Sequence, residues 1–261
     1  MSFFIFFSTS PVNIIYAADY TGMWWDPAKE GTGVFIEHIE ESNCICGAWY
    51  LYDEEGNPFW MTFWGSLSGG SFSSDLFSFT GPGLGNSWDA SNIKGFKEGE
   101  ATFSFTSSAT ITMTYQVRGA SGQLNLSRFS LDVCPGWLWW DPRKPGQGVA
   151  LFHMIDDEAQ DKVALAWYVY DSKGNPVWFT GTETYAGGDL EVFQFTGPGL
   201  GTSWDVSKLR RSNVGTISLD NIRGPQIDDG KLLTPLNLMT YSVQGVSGNL
   251  TLETFWCDSD I

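Results

Sequence analysis

WYLYDEEGNPFW occupies residues 49–60, and WYVYDSKGNPVW occupies residues 167–178. Both stretches place Trp, Tyr, Tyr and Trp around one Asp-x-x-Gly-Asn-Pro turn. Asp opens a type I turn, Gly supplies the left-handed residue that follows, and Pro begins the returning strand where its missing N–H is tolerated. With Asp53 opposite Asn57, Leu51 falls opposite Phe59, Tyr50 opposite Trp60 and Trp49 opposite Met61. Side chains alternate across a strand, so the hairpin has two faces. One carries Ile45, Trp49, Leu51, Phe59, Met61 and Phe63 and reads as ordinary core. The other carries Ala48, Tyr50, Tyr52, Trp60, Thr62 and Trp64. The second stretch gives Ala166, Tyr168, Tyr170, Trp178, Thr180 and Thr182 there.

The hairpin is one part of a longer duplication. Trp24-Trp25-Asp26-Pro27 returns as Trp139-Trp140-Asp141-Pro142, and Gly31, Gly33 and His38 return as Gly146, Gly148 and His153. FTGPGLGNSWD (79–89) returns as FTGPGLGTSWD (195–205), and TYQVRGASGQL (114–124) as TYSVQGVSGNL (240–250). The extra residues of the second copy fall in the polar stretch 221–234, read as a loop. Two units follow, 19–134 and 135–261. In the first, short alternating apolar runs at 34–40, 45–52, 59–65, 76–79, 101–106, 111–117 and 123–129 are punctuated by Gly, Pro, Asn and Ser, and no amphipathic helix is evident. The expected fold is all-β: two tandem antiparallel meander units, each a small β-barrel or sandwich.

Lys and Arg number 14 against 30 Asp and Glu, a net charge of −16. Such a surface repels nucleic acid and anionic membranes. Residues 1–18, MSFFIFFSTSPVNIIYAA, carry no charge, contain an apolar block and end on Ala17-Ala18, the expected pattern of a signal peptide. No other stretch approaches the ~20 apolar residues of a spanning helix. Secretion to the periplasm or outer cell surface is the expectation. It suits the four cysteines, of which Cys134 and Cys257 follow the two repeats and would staple their ends if bridged. Cys44 and Cys46 lie two apart on one strand face and cannot easily bridge each other.

Tyr50, Tyr52 and Trp60, with Tyr168, Tyr170 and Trp178, have apolar bodies and polar tips. Such a face either contacts a ligand, for which a sugar is the natural chemistry, or packs the two units together. Burial separates the two. Trp25-Asp26 and Trp140-Asp141 carry the same ambiguity: a Trp platform beside an acceptor carboxylate, or a core anchor and a turn.

The pattern Gly22-x-Trp24-Trp25-x-Pro27, Gly31-x-Gly33, then WYxYDxxGxPxW, TGP…WD and a YxVxGxxG hairpin, repeated in the second copy but for Trp137 at the place of Gly22, resembles a tryptophan-rich repeat of secreted and surface proteins of Gram-negative bacteria. The resemblance implies export and a β-rich repeat, and transfers no catalytic residue. Repeats of that kind often end with an Arg; Arg128 fits, whereas the second copy has Glu253-Thr254.

Catalytic signatures are lacking. His38 and His153 are the only histidines and read as satisfied structural residues without a nucleophile motif beside them. The recurring carboxylates Asp26, Asp53 and Asp89 sit in turns rather than as a hydrolytic pair. Gly81–Gly85 lacks the Lys-Ser/Thr of a phosphate loop and reads as a connection. No zinc spacing exists, and no metal or cofactor is expected. The sequence therefore points to a non-catalytic extracellular binding module for a glycan or another neutral cell-surface ligand. Its alternatives are a structural or protein-interaction repeat of the cell envelope with buried aromatic faces, and a small apolar-ligand barrel.

Overall fold

The computed structural model describes residues 19–40, 42–129, 137–155, 161–184, 189–220, 226–228, 231–233 and 237–254. The expected signal peptide, the boundary near 134 and the Cys134–Cys257 bridge lie outside them. The chain is all-β, and each unit closes on itself as an eight-stranded antiparallel barrel.

The first barrel contains β1 (Gly22–Trp25), β2 (Gly33–Ile39), β3 (Cys44–Tyr52), β4 (Pro58–Ser66), β5 (Ser71–Thr80), β6 (Lys94–Ser107), β7 (Thr110–Val117) and β8 (Ala120–Arg128). Each strand pairs with the next, and β8 returns to β1 through Trp24↔Arg128 and Trp25↔Ser127. The second barrel contains β9 (Trp137–Trp140), β10 (Gly148–Ile155), β11 (Asp161–Tyr170), β12 (Pro176–Thr184), β13 (Asp189–Thr196) and β14 (Arg210–Asp220). After β14 comes a small separate hairpin, β15 (Gln226–Asp228) and β16 (Lys231–Leu233), and then β17 (Asn237–Val243) and β18 (Val246–Thr254), which closes on β9. The stretch expected as loop at 221–234 thus holds a hairpin, Ile227 pairing with Leu232 across the Asp-Asp-Gly turn signal.

Closure explains where the core sits. Inward positions of successive strands meet on the barrel axis, so they must fill it. In the first barrel Trp24, Trp49, Met61, Phe63, Leu76, Phe103 and Met113 do so, all buried. In the second, Trp139, Trp167, Phe179, Val192, Ile217 and Met239 occupy the equivalent space. Bulky rings packed on the axis leave little scope for the lipocalin-like alternative. Both barrels kink at matching bulges, Leu76/Phe77 opposite Gly99 and Val192/Phe193 opposite Gly215. A Cβ at Gly99 or Gly215 would collide with the carbonyl oxygen of Gln116 or Ser242, so glycine is required there.

The paired strand β3 is buried along its full length, on both faces. An antiparallel barrel strand normally keeps one face in water. Something must cover the outer face of β3, and it is the other barrel.

Candidate functional site

The hairpin register is the one its turn dictates: Tyr50↔Trp60, Leu51↔Phe59 and Tyr52↔Pro58, with Tyr168↔Trp178 and Tyr170↔Pro176 in the second unit. Asp53 Oδ1 accepts from the backbone amides of Glu55 and Asn57, and Asp171 Oδ1 from those of Lys173 and Asn175. This geometry sends Tyr50, Tyr52 and Trp60 outward from the first barrel, and Tyr168, Tyr170 and Trp178 outward from the second.

The two outward faces meet. Together with Phe35, Ala48, Leu138, Ala150 and Ala166 they form a third core, between the barrels. Trp60 packs on Tyr168 (ring centroids 5.2 Å apart) and Tyr170 (5.9 Å), and Trp178 packs on Tyr50 (6.0 Å) and Tyr52 (6.0 Å). The two indole tips are used across the same seam, the hydroxyls of Tyr52 and Tyr170 bond within their own units, and Tyr50 Oη has no partner among the described residues. Trp60 Nε1 donates to Val169 O (3.1 Å), and Trp178 Nε1 donates to Leu51 O (3.0 Å). Tyr52 Oη donates to Gly31 O and Tyr170 Oη to Gly146 O, each at 2.7 Å. Burial drives the phenols of Tyr50 and Tyr168 far above their ordinary pKa, so both stay neutral. The six aromatic residues expected as ligand contacts are thus occupied by each other. Trp60 and Tyr170 are 1% and 0% exposed. Burial, the observation that separates the two sequence readings, falls on the side of packing.

The repeated TGPGLG segments complete the seam, a role the sequence reading did not find. Gly81 N donates to Gly174 O (3.1 Å) and Leu84 N to Tyr170 O (3.2 Å); reciprocally, Gly197 N donates to Gly56 O (3.0 Å) and Leu200 N to Asp53 O (3.1 Å). Each loop therefore clasps the other unit's hairpin turn, backbone to backbone. A Cβ at Gly83 would lie 2.6 Å from Asp171 O, and one at Gly197 would lie 2.5 Å from the Tyr52 ring. Leu84 inserts into the core of the second barrel, and Leu200 packs on the core of the first. The available signal was near-identity over eleven residues, more than a simple connection needs.

Trp25-Asp26 and Trp140-Asp141 also resolve toward structure. Trp24 and Trp139 point into the barrels, while Trp25 and Trp140 are half-buried outside. Trp25 meets Phe129 edge-on. Asp26 is buried, with Oδ1 accepting from Ala28 N (2.9 Å) and Oδ2 from Asn125 N (3.0 Å). Asp141 accepts from Arg143 N and Thr251 N and from the Arg143 guanidinium. Neither carboxylate is a free acceptor for a ligand. Each ties the turn after the first strand of its barrel to the last strand. Burial raises the pKa of Asp141, but its bonds to Arg143 and Thr251 outweigh that and hold it below the ordinary value.

His38 departs from expectation. It is buried against Tyr20 (5.4 Å), but neither imidazole nitrogen has a hydrogen-bond partner among the described residues. The His153 side chain lies outside the described residues. Arg128 donates to Asp19 O and Thr21 O and lies over Trp24, bracing the closure of the first barrel. Thr254 faces Trp139 at the equivalent place, so the second barrel closes without this brace. Among the described residues no group of three or more His, Cys, Asp or Glu is placed to hold a metal ion, and no helix is long and apolar enough to cross a membrane.

Comparison of the chain with protein-family models finds no match, and neither do comparisons with curated proteins and with solved structures.

Proposed function

We propose that the chain is a non-catalytic structural and protein-interaction module of the bacterial cell envelope, exported by residues 1–18, in which two barrels are joined through a shared aromatic seam. The reciprocal burial of Trp60 and Trp178 carries this reading. A ligand-gripping aromatic face must be reachable by its ligand; here each face is filled by the other. The resemblance to tryptophan-rich envelope repeats points the same way, and the acidic surface suits a neutral or cationic protein partner.

The test has two arms. The full-length protein, expressed in a Gram-negative host, is fractionated and cross-linked in intact cells. The proposal expects processing near Ala18, recovery with the envelope, and a discrete cross-linked partner. In the second arm the purified protein is titrated with soluble glycans and cell-wall fragments while its tryptophan emission is followed. The proposal expects no saturable change from the seam. A saturable glycan response that disappears in folded Trp60→Phe and Trp178→Phe variants would replace it with the carbohydrate reading.

A further inference from the structure

The barrels share a fold but differ at one mouth. The open end of the first barrel is lined by Trp49, Leu51, Tyr115 and Leu124, and is covered by 198–202 and Trp204 of the other unit, with Lys29 and Thr32 beside it. A cavity of about 70 Å³ remains. Two tryptophans of its lining, Trp49 and Trp204, have buried indole N–H groups with no acceptor among the described residues. Leaving a buried N–H unpaired costs about 1–3 kcal/mol.

The second barrel avoids this at one of the two positions: the equivalent Trp167 Nε1 donates to Gln147 Oε1 (3.4 Å). Among the described residues Trp88 Nε1, the counterpart of Trp204, is unpaired as well. The first unit has Thr32 at the place of Gln147, and the Thr32 hydroxyl donates to Lys29 O instead. A second difference lies beside the same mouth. Val246 lines the approach to Gly85 in the second barrel, whereas the shorter Ala120 approaches Gly201 in the first. Leu84 accordingly sinks into its barrel and is 7% exposed, while Leu200 stays half-buried. Of these two changes to smaller residues, Thr32 lies in the cavity lining with Trp49, and Ala120 lies beside the lining residue Gly201.

We propose that the mouth of the first barrel is a binding pocket for a small carboxylate group, held by the indole N–H groups of Trp49 and Trp204. The donors carry no lone pair to offer, so the ligand must accept. The ammonium of Lys29, which donates to Gln123 O at the rim, favours a negative acceptor in a chain that is otherwise strongly acidic. Aromatic and Leu walls suit a short apolar stem. A space about half the ~150 Å³ that encloses benzene admits a group of acetate or propionate size, and nothing bulkier, without movement of the covering loop. The same chemistry comes from a free short-chain carboxylate or from the terminal carboxylate of a peptide. The pocket lies beside the seam and shares Tyr52 and the covering loop with it, but its occupancy is independent of the function proposed above.

The full chain, labelled with ¹⁵N at tryptophan, is titrated with sodium acetate, sodium propionate, a short Gly-Ala peptide with a free terminus and the same peptide amidated, against sodium chloride at equal ionic strength. Indole resonances are assigned with Trp49→Phe and Trp204→Phe. The proposal expects the Trp49 and Trp204 N–H signals to move saturably with a carboxylate and not with chloride or the amide. Response to acetate or propionate identifies a free acid as a sufficient ligand; response to the free-terminus peptide alone identifies a chain end. Thr32→Gln, which gives Trp49 the acceptor that Trp167 has, should weaken the response at least tenfold with the other indole signals unmoved, and Ala120→Val should weaken it by narrowing the mouth. Absence of a saturable shift with all three carboxylates, an equal response to the amide, or full binding by folded Thr32→Gln overturns the proposal.

Discussion

Trp60 and Trp178 are exchanged between the barrels: Trp60 Nε1 donates to the carbonyl of Val169, and Trp178 Nε1 donates to the carbonyl of Leu51. Each acceptor lies in the strand that pairs with the other tryptophan's strand. The two hydrogen bonds are therefore the same bond made twice across an approximate two-fold relation. This fixes why the hairpin motif recurs. Each copy supplies the donor that the other copy's backbone requires.

Replacing either tryptophan with phenylalanine keeps most of the ring burial and removes the donor. Trp60→Phe and Trp178→Phe should each cost about 1–3 kcal/mol, because a buried carbonyl loses its partner. Trp60→Ala should cost about 3–5 kcal/mol by opening a cavity in the seam. Urea unfolding followed by circular dichroism reads both. Equal midpoints for wild type and Trp60→Phe would mean that the bond contributes nothing.

The clasp loops make a sharper contrast. Gly83→Ala and Gly199→Ala would drive a methyl group onto Asp171 O and Glu54 O, within a seam built from backbone. Overpacking of that kind costs about 1–3 kcal/mol. A Cβ at Gly119 meets nothing within 4 Å, so Gly119→Ala suffers only from its positive φ of 80°. Thermal unfolding should rank Gly83→Ala and Gly199→Ala below Gly119→Ala.

Acid should loosen the barrels through identifiable carboxylates. Bonds from the Arg118 side chain, with help from Ser78, hold the Glu98 carboxyl below its ordinary value against the opposing effect of burial. Asp141 is depressed as described, and Asp89 and Asp205 are depressed by the Ser91 and Ser207 side chains and amides that they cap. A carboxyl depressed in the folded state stabilises it above the unfolded pKa of about 4 and loses that contribution as pH falls through the lower folded value. Unfolding midpoints should therefore be flat from pH 7 to about 5 and decline below about 4. Asp141→Asn should shrink the decline. A variant as acid-sensitive as wild type would assign the effect elsewhere.

His38→Phe tests a different kind of site. Two buried imidazole nitrogens without partners make histidine a poor occupant of its place beside Tyr20. The substitution should leave stability unchanged or raise it by about 1 kcal/mol, since an apolar ring removes the unsatisfied groups. A loss of more than about 1 kcal/mol, set against that same scale, would show that His38 has a partner in solution.

Much of this architecture is readable in the chain because turns are local. Asp53, Gly56, Asn57 and Pro58 dictate the turn, the turn dictates the register, and the register separates Trp49 and Met61 from Tyr50 and Trp60. Strands rich in serine or charge were less legible. β5 begins at Ser71 and β6 at Lys94, several residues before their apolar runs, because backbone pairing there needs no apolar side chain. Barrel closure rests on two long-range pairs, Trp24↔Arg128 and Trp25↔Ser127, which no local pattern announces. The partner of the Tyr-Tyr-Trp face was hidden for a related reason. Alternation shows that a face exists, and only tertiary structure shows what covers it. The apolar residues on both faces of CICGAWYLY and the near-identity of the two TGPGLG segments were the available signals. The carboxylates of Asp26 and Asp141 read as turn acceptors correctly, but their bonds to Asn125 N and Thr251 N cross most of a unit.

The most direct test of the seam is hydroxyl-radical footprinting of the full chain, with oxidation read residue by residue. Trp64, Phe96 and Phe129 are more than 40% exposed and serve as controls within the same sample. The account predicts rapid oxidation of those three and protection of Tyr50, Tyr52, Trp60, Tyr168, Tyr170 and Trp178. Oxidation of Trp60 and Trp178 at the rate of Trp64 would contradict it and return the aromatic faces to solvent, where a ligand could reach them.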